Sequence, residues 1–141
     1  MDYNTQDLIT QLIDHEGLKL FPYHCTADKL TIGVGRNLED RGISNDEAAY
    51  LLKNDIEIVE RELLEAQPLV SMLDPVRQRV LVDMGFNLGT PTLMKFSNMW
   101  AAIEDEDYHE AARQMMDSRW ADQVGRRAER LAQAMSSGEW I

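Results

Sequence analysis

Residues 12–35 read LIDHEGLKLFPYHCTADKLTIGVG, and within this stretch the chain changes from a helix to short strands. Apolar residues up to this point recur with a helical period, which predicts a short amphipathic helix over residues 5–15 that Gly17 terminates. Over residues 18–37 apolar residues are interspersed with glycine and proline, a pattern typical of two or three short strands with tight turns. The turn is predicted at residues 28–29. The stretch therefore indicates a small sheet that directly follows a helix.

The next segment predicts a long helix. Ser44 and Glu47 have the spacing of a capping box, in which two side chains satisfy the free N–H groups of a helix start. The helix that they open extends over about 45–66, and Pro68 ends it because proline cannot continue a helix. A helix of this length directly after a small sheet is suited to joining two lobes.

The remainder of the chain is predicted to be helical. Residues 74–75 are Asp-Pro, which favours the N-cap and first position of another helix, and Gly89 ends that helix. Shorter helices are predicted at about 92–103, 107–118 and 125–136. The order of elements indicates an α+β protein with a small sheet. We predict a single domain over residues 1–141, with a β lobe at about 17–43, a connecting helix at about 45–66 and a helical lobe formed by 1–15 plus 68–141.

The composition and charge exclude several classes of protein. The chain has 141 residues, of which 44% are hydrophobic, and no apolar run approaches the roughly 18 residues of a membrane span, so membrane insertion is not expected. The first residues lack the positive and apolar regions of a secretory signal, and a single cysteine suits a reducing cytosol. The net charge of -11 argues against nucleic acid as the main partner. A local positive patch is predicted near Arg126, Arg127 and Arg130.

Three residues of the opening stretch are candidates for catalysis. Glu16, Cys25 and Thr31 follow the spacing Glu-x8-Cys-x5-Thr, which places a carboxylic acid opposite a hairpin that carries a second ionisable group and a hydroxyl. Cleavage of a glycosidic bond requires an acid for the leaving oxygen and polar groups that hold or activate water. Glu16 lies in the last turn of its helix, where the negative end of the macrodipole disfavours the ionised carboxylate.

Each of these residues also has a plainer interpretation. Glu16 is consistent with a solvated glutamate at a frayed helix end, and Thr31 with an ordinary strand residue. Cys25 could be a small buried apolar residue, a nucleophile paired with His109, or a metal ligand. The metal site would draw on His15, His24 and Cys25. Because adjacent side chains seldom reach one ion together and no fourth ligand is suitably spaced, we expect no metal.

The motifs of the chain resemble those of the phage-type lysozymes, glycoside hydrolase family 24. The resemblance covers nearly the whole chain and keeps the order of the family's motifs. It extends through residues 12–20, Tyr23, 31–35, 43–48, 85–89, 118–120, Arg127, Arg130 and 138–140. It implies a lysozyme-like α+β fold, in which a long helix joins a small β lobe to a larger helical lobe.

The resemblance implies a role for each residue of the triplet. Glu16 matches the general acid, Cys25 stands in the position of the second catalytic residue, and Thr31 matches a hydroxyl that positions water. Other members of the family have either Asp or Cys where this chain has Cys25. Arg127 matches a supporting arginine that packs near the catalytic glutamate. Substrate-binding positions of the family fall at Phe86, Asn87, Met99 and Gln114.

We therefore expect a peptidoglycan hydrolase, a muramidase that cuts the β-1,4 bond between N-acetylmuramic acid and N-acetylglucosamine. By the resemblance it is a monomeric phage endolysin that needs no cofactor. It accumulates in the host cytoplasm and reaches the glycan strands of the wall when a holin opens the inner membrane. Two alternatives remain open: a lytic transglycosylase, which needs only one acid/base glutamate, and a catalytically silent lysozyme-like module that binds sugar or a protein partner.

Overall fold

The computed structural model describes residues 1–140 and divides the chain into two compact units, residues 1–50 and the chain from Leu51 onward. The boundary falls inside the helix Asn45–Ala66. Most residues are helical and one small antiparallel sheet is present, which confirms the predicted α+β class. The assignment of the first helix to the later helical lobe stays a prediction.

The first unit contains a helix, a three-stranded sheet and a further helical turn. These elements are α1 (Thr5–Glu16), β1 (Lys19–His24), β2 (Leu30–Gly33), β3 (Arg36–Asn37), α2 (Leu38–Arg41) and the start of α3 (Asn45–Ala66). The strands pair in the order β1-β2-β3, so β2 is central. As predicted, Gly17 ends α1, with its N–H donating to the Ile13 carbonyl at 2.8 Å. The sequence did not predict α2, because a single helical turn is too short to show periodicity.

The connection between β1 and β2 is a tight turn. Asp28 N–H donates to the Cys25 carbonyl at 2.8 Å, and Cys25 N–H donates to the Lys29 carbonyl at 3.0 Å. Asp28 has a left-handed φ of 59°, which aspartate tolerates better than most side chains. The turn therefore includes the predicted residues 28–29 and begins at Cys25.

The predicted capping box is confirmed at the start of α3. Glu47 N–H donates to Ser44 Oγ at 3.1 Å, and Ser44 N–H donates to Glu47 Oε1 at 2.8 Å. Glu47 Oε2 also pairs with Arg36 Nη2 at 2.8 Å, a contact that the sequence did not predict. The hydrogen bond from Arg36, followed by those from Ser44, lowers the pKa of Glu47 from 4.5 to about 2. One carboxylate therefore caps the helix and joins it to β3.

The second unit is helical throughout its described part. After α3 come a 3-10 turn (Pro68–Met72) and then α4 (Pro75–Leu88), α5 (Thr90–Leu93), α6 (Ser97–Glu104), α7 (Tyr108–Met116), α8 (Arg119–Val124) and α9 (Arg126–Ser137). Asp74 and Gly89 cap α4 as predicted. The prediction of one helix over 92–103 is wrong, since it is two helices separated by a turn at 94–96. No glycine or proline marks the break at 94–96, which concealed it, and α8 was too short to be predicted.

The fully buried hydrophobic residues of the described chain all lie in the second unit, from Leu63 onward. In the first unit Thr31 is the buried residue, and apolar side chains such as Leu20 (77% exposed) and Phe21 (82% exposed) face solvent. The apolar stripe predicted along α3 is buried only at Leu63. Among residues 1–140, the helices are either too short or too polar to cross a membrane.

Arg77 links α4 to the end of α9 within the second unit by side-chain hydrogen bonds. Its Nε donates to the Met135 carbonyl at 2.7 Å and its Nη2 to the Ser136 carbonyl at 3.1 Å. Its Nη1 donates to Asp74 Oδ1 at 3.0 Å, and its guanidinium lies 3.6 Å from the centre of the Tyr108 ring. The Arg77 side chain is only 13% exposed, so water replaces these contacts poorly.

We expect Arg77→Ala to lower the free energy of unfolding by about 2 kcal/mol, because it leaves carbonyl oxygens of α9 without their donors in a partly buried place. Denaturant unfolding measures this directly. The matched control is Arg79→Ala on the same helix, whose exposed guanidinium lies 3.9 Å from the Trp140 ring centre and should contribute about 1 kcal/mol or less. Equal losses of unfolding free energy in the two variants would contradict the role of Arg77 in linking α4 to α9.

Candidate active site

Glu16 is the last residue of α1, and its side chain is exposed. The chain reverses at Gly17 and returns through the sheet, so that the Glu16 carboxylate lies against the turn that follows β2. A β-carbon at Gly35 in this turn would lie only 3.1 Å from Glu16 Oε2. The acid predicted from the sequence therefore lies beside the Thr-Ile-Gly-Val-Gly motif within the same unit.

Cys25 follows the last residue of β1 and is half-buried. The pKa of its thiol is lowered, chiefly by a hydrogen bond from the backbone of Lys29, then by one from Ala27 and by the Thr31 side chain. Burial acts in the opposite direction and is the weaker effect. The first turn of the hairpin thus directs N–H groups at the sulfur atom, which favours a thiolate.

A thiolate needs a pKa lowered by nearby donors or positive charge, and the sequence offers His24, Lys29 and Arg127 as candidates for a positive group beside Cys25. Each of the three has a carboxylate partner of its own. His24 Nδ1 lies 3.5 Å from Asp28 Oδ1, Lys29 Nζ lies 3.5 Å from Asp40 Oδ1, and Arg127 Nη2 lies 2.6 Å from Asp83 Oδ1. The lowered pKa of Cys25 arises instead from neutral donors, of which the Lys29 backbone is the largest. A sequence cannot show the direction of these N–H groups, because the turn conformation decides it.

Thr31 is in the central strand β2 and is only 3% exposed. It pairs with Tyr23 on one side and with Asn37 on the other. Its hydroxyl donates to the Lys29 carbonyl at 2.8 Å and also lies within hydrogen-bonding reach of the Cys25 thiol. Since a hydroxyl has one proton, it can serve the carbonyl or a thiolate, but not both at once. The turn therefore brings Cys25 and Thr31 together as one polar pair.

Phe86 and Arg127 line the same pocket in the second unit, an open cavity of about 460 Å³ between α3, α4 and α9. Phe86 is 45% exposed, which leaves its ring available to a ligand. Arg127 donates through Nε and Nη2 to Asp83 Oδ1, at 2.9 and 2.6 Å. Its charge is thus matched by Asp83, and its predicted place beside Glu16 stays a prediction.

Asn87 is exposed, and its amide orientation is fixed by a neighbour. Trp120 Nε1 donates to Asn87 Oδ1 at 2.7 Å. Because the indole N–H can only donate, the amide oxygen must be the partner, and the NH₂ group is left to donate elsewhere. Asn87 therefore offers a donor to any ligand that reaches it.

Met99 and Gln114 line a second pocket, of about 310 Å³. Met99 is fully buried and can only form the floor, whereas Gln114 is half-buried and donates to Glu110 Oε1 at 2.9 Å. The sequence did not predict the polar residues of the rim, since no motif distinguishes them from other polar residues at helix ends. These are Thr92, Lys95, Ser97, Asn98, Asp117 and Ser118.

The predicted basic patch corresponds to a third pocket, of about 260 Å³. Arg126, Arg127 and Arg130 line it together with Asp83 and Trp140.

One alternative for Cys25 was a nucleophile paired with His109. In the structure, Nδ1 of His109 is already hydrogen-bonded to Ser136 Oγ at 2.5 Å. Within residues 1–140, no group of three His, Cys, Asp or Glu side chains is arranged to hold a metal ion.

The proteins and the family model that this chain resembles are mainly lysozymes. The family model of the phage lysozymes matches residues 13–134. The chain is 25% identical to probable T4-type lysozyme 1 of Dictyostelium discoideum, over 87% of this chain and 89% of that protein. It is 24% identical to probable T4-type lysozyme 2 of the same organism, over the same shares of the two chains. It is also 27% identical to the pre-baseplate central spike protein Gp5 of Enterobacteria phage T4, over 74% of this chain but only 19% of that protein.

Proposed function

Because the chain belongs to the phage lysozyme family and is a lysozyme-type glycoside hydrolase, we propose that it is a muramidase acting as a phage endolysin. Its substrate would be the β-1,4 bond between N-acetylmuramic acid and N-acetylglucosamine in peptidoglycan. The observation that most strongly supports this proposal is the Cys25–Thr31 pair. Cys25 follows β1 and Thr31 lies in β2, and both strands come directly after the helix that ends with Glu16. Both an acid and a group that can hold water are therefore available in residues 16–31.

In this proposal Glu16 donates its proton to the glycosidic oxygen as the bond to the anomeric carbon breaks. The anomeric carbon becomes electron-deficient, and water attacks it. The Cys25 thiolate accepts a proton from that water, directly or by way of the Thr31 hydroxyl. The sugar with the departing oxygen leaves as an alcohol, and the other sugar gains a hydroxyl at its anomeric carbon.

The second unit carries apolar and polar groups of the kind that bind sugar rings and acetamido groups. Phe86 offers an exposed aromatic ring, and Asn87 offers amide N–H groups. Gln114 and the polar residues of its pocket offer further hydrogen-bonding groups to a glycan strand or its peptide stems. No cofactor is needed for these steps, since proton transfer and water attack use side chains and solvent.

The route to the wall is also part of the proposal. In this proposal the enzyme accumulates in the host cytoplasm, and a holin gives it access to the wall. A net charge of -11 opposes approach to an anionic wall. The pocket of Arg126, Arg127 and Arg130 is a local exception that could contact anionic groups.

The decisive experiment is product analysis of purified peptidoglycan by mass spectrometry after borohydride reduction. We expect fragments that have gained water and that end in muramitol, which identifies cleavage after N-acetylmuramic acid. A 1,6-anhydro product would identify a lytic transglycosylase, and fragments ending in glucosaminitol would place the cut at the other bond. Binding to the wall without any fragments would identify a catalytically silent module. Each of these three outcomes would overturn the proposal.

A further inference from the structure

Two glycines flank Val34 in the turn that joins β2 and β3. Gly33 is the last residue of β2, where it pairs with Lys19 of β1, and Val34 and Gly35 form the connection to β3. Gly33 and Gly35 have left-handed φ values of 72° and 66°. Their backbone conformations therefore favour glycine to a similar degree.

Backbone conformation alone does not require glycine in this chain. Asp28 and Glu106 both have a φ of 59°, so the protein accepts side chains at left-handed positions elsewhere. What differs between the two glycines of the turn is the space around them. A β-carbon at Gly33 would have no atom within 4 Å, apart from its chain neighbours. A β-carbon at Gly35 would lie 3.1 Å from Oε2, 3.5 Å from Cδ and 3.6 Å from Cγ of Glu16.

We propose that Gly35 is a positioning residue, whose missing side chain leaves the space that the Glu16 carboxylate occupies. This rests on the proposed role of Glu16 as the general acid. The three atoms that a β-carbon would approach belong to the end of the Glu16 side chain. The backbone at Gly35 therefore packs directly against the carboxyl group. Any side chain at residue 35 would push the carboxylate outward.

The displacement should affect catalysis much more than folding. Glu16 is exposed, so its carboxylate can move aside without disturbing a packed core. A general acid must lie within hydrogen-bonding reach of the proton acceptor, and a misplacement of about 1 Å can cost about 10²-fold in rate. A contact of 3.1 Å requires a smaller shift, so we expect about a tenfold loss or more.

The test compares Gly35→Ala with its matched control Gly33→Ala. Both variants place alanine at a left-handed position next to Val34, but only the first meets Glu16. We expect Gly35→Ala to lower kcat about tenfold or more below that of Gly33→Ala, with KM unchanged and with the same thermal unfolding midpoint. Crystal structures of the two variants should show the Glu16 carboxylate displaced in the first and in place in the second. If alanine at residue 35 prevents folding, the Gly35→Asn and Gly33→Asn pair serves instead, because asparagine tolerates this conformation better.

A shorter acid gives an independent check. Glu16→Asp withdraws the carboxylate from the turn, so adding Gly35→Ala to it should cost less than Gly35→Ala costs alone. Additive losses, equal kcat in the two alanine variants, or an unmoved carboxylate in the Gly35→Ala crystal would each overturn the proposal. Full turnover by Glu16→Gln would overturn the catalytic assignment instead. The crystals would still decide whether Gly35 positions the side chain.

Discussion

Glu16→Gln should lower turnover of purified peptidoglycan by about 10²- to 10⁴-fold, the range typical of general acid catalysis. The amide has nearly the same size as the carboxylic acid, so it should fit against Gly35 as the native side chain does. It cannot donate a comparable proton to the leaving oxygen. Because Glu16 is exposed at the end of α1, the change should leave the unfolding midpoint and the binding of wall fragments near their native values.

Asp14→Asn is the matched control for this variant. Asp14 is two residues earlier on α1 and is also exposed, and its change likewise replaces a carboxyl group by a neutral amide. Any general effect of charge on approach to the wall should therefore appear equally in both variants. Near-native turnover by Glu16→Gln, or an equal loss in Asp14→Asn, would remove Glu16 from the catalytic role.

The parts of the fold that the sequence predicted well are those with explicit end signals. The capping box of Ser44 and Glu47 and the proline at residue 68 placed α3 within a residue of its observed bounds. Asp74 and Gly89 did the same for α4. A side-chain cap or a glycine acts locally, so its effect can be inferred without knowledge of the remaining structure.

The errors lie where local signals were short or weak. The helices α2, α5 and α8 have four, four and six residues, too few for a hydrophobic period to be recognised. Tertiary contacts were also beyond prediction: the ion pair of Arg36 with Glu47 bridges two elements, and Arg77 reaches carbonyls of residues 58 and 59 positions away. Such contacts depend on how elements pack, which neither spacing nor composition specifies.

The spacing of the sequence selected candidate site residues, but it did not predict the electrostatics around them. The spacing selected Glu16, Cys25 and Thr31, and the structure adds that the Thr31 side chain helps to lower the pKa of the Cys25 thiol. The sequence offered cations as the cause of a lowered thiol pKa, and the cause is instead a set of backbone donors led by Lys29. The close packing of Gly35 against Glu16 could not be predicted from the sequence either, because it depends on the distance between two residues that are far apart in the chain.

Cys25→Ser and Cys25→Asp should differ strongly in activity at neutral pH if Cys25 acts as a thiolate. The N–H groups of the turn that stabilise a thiolate should also stabilise a carboxylate, so Cys25→Asp supplies the negative charge and should stay within about tenfold of the native rate. Cys25→Ser keeps a hydrogen-bonding group but remains neutral at this pH. We expect it to lose about 10²-fold or more, the lower end of what a general base contributes.

Alkylation offers a direct measure of the same thiolate, since Cys25 is the only cysteine of the chain. A lowered pKa means that the thiolate persists to lower pH than in an unfolded chain. The rate of reaction with iodoacetamide should therefore rise at lower pH in the folded protein than in the same protein in denaturant. Peptidoglycan fragments should slow the reaction, and the alkylated enzyme should be inactive because the sulfur can no longer carry a proton.

The alternative is that Cys25 only packs against the turn while Thr31 holds the attacking water unaided. In that case Cys25→Ser should be nearly as active as the native enzyme, because serine fits the same space and can accept the same backbone hydrogen bonds. Cys25→Asp should then be no better than serine, since the added charge would have no proton to accept. A serine variant that equals or exceeds the aspartate variant would therefore refute the thiolate role and leave Glu16 and Thr31 to carry the reaction.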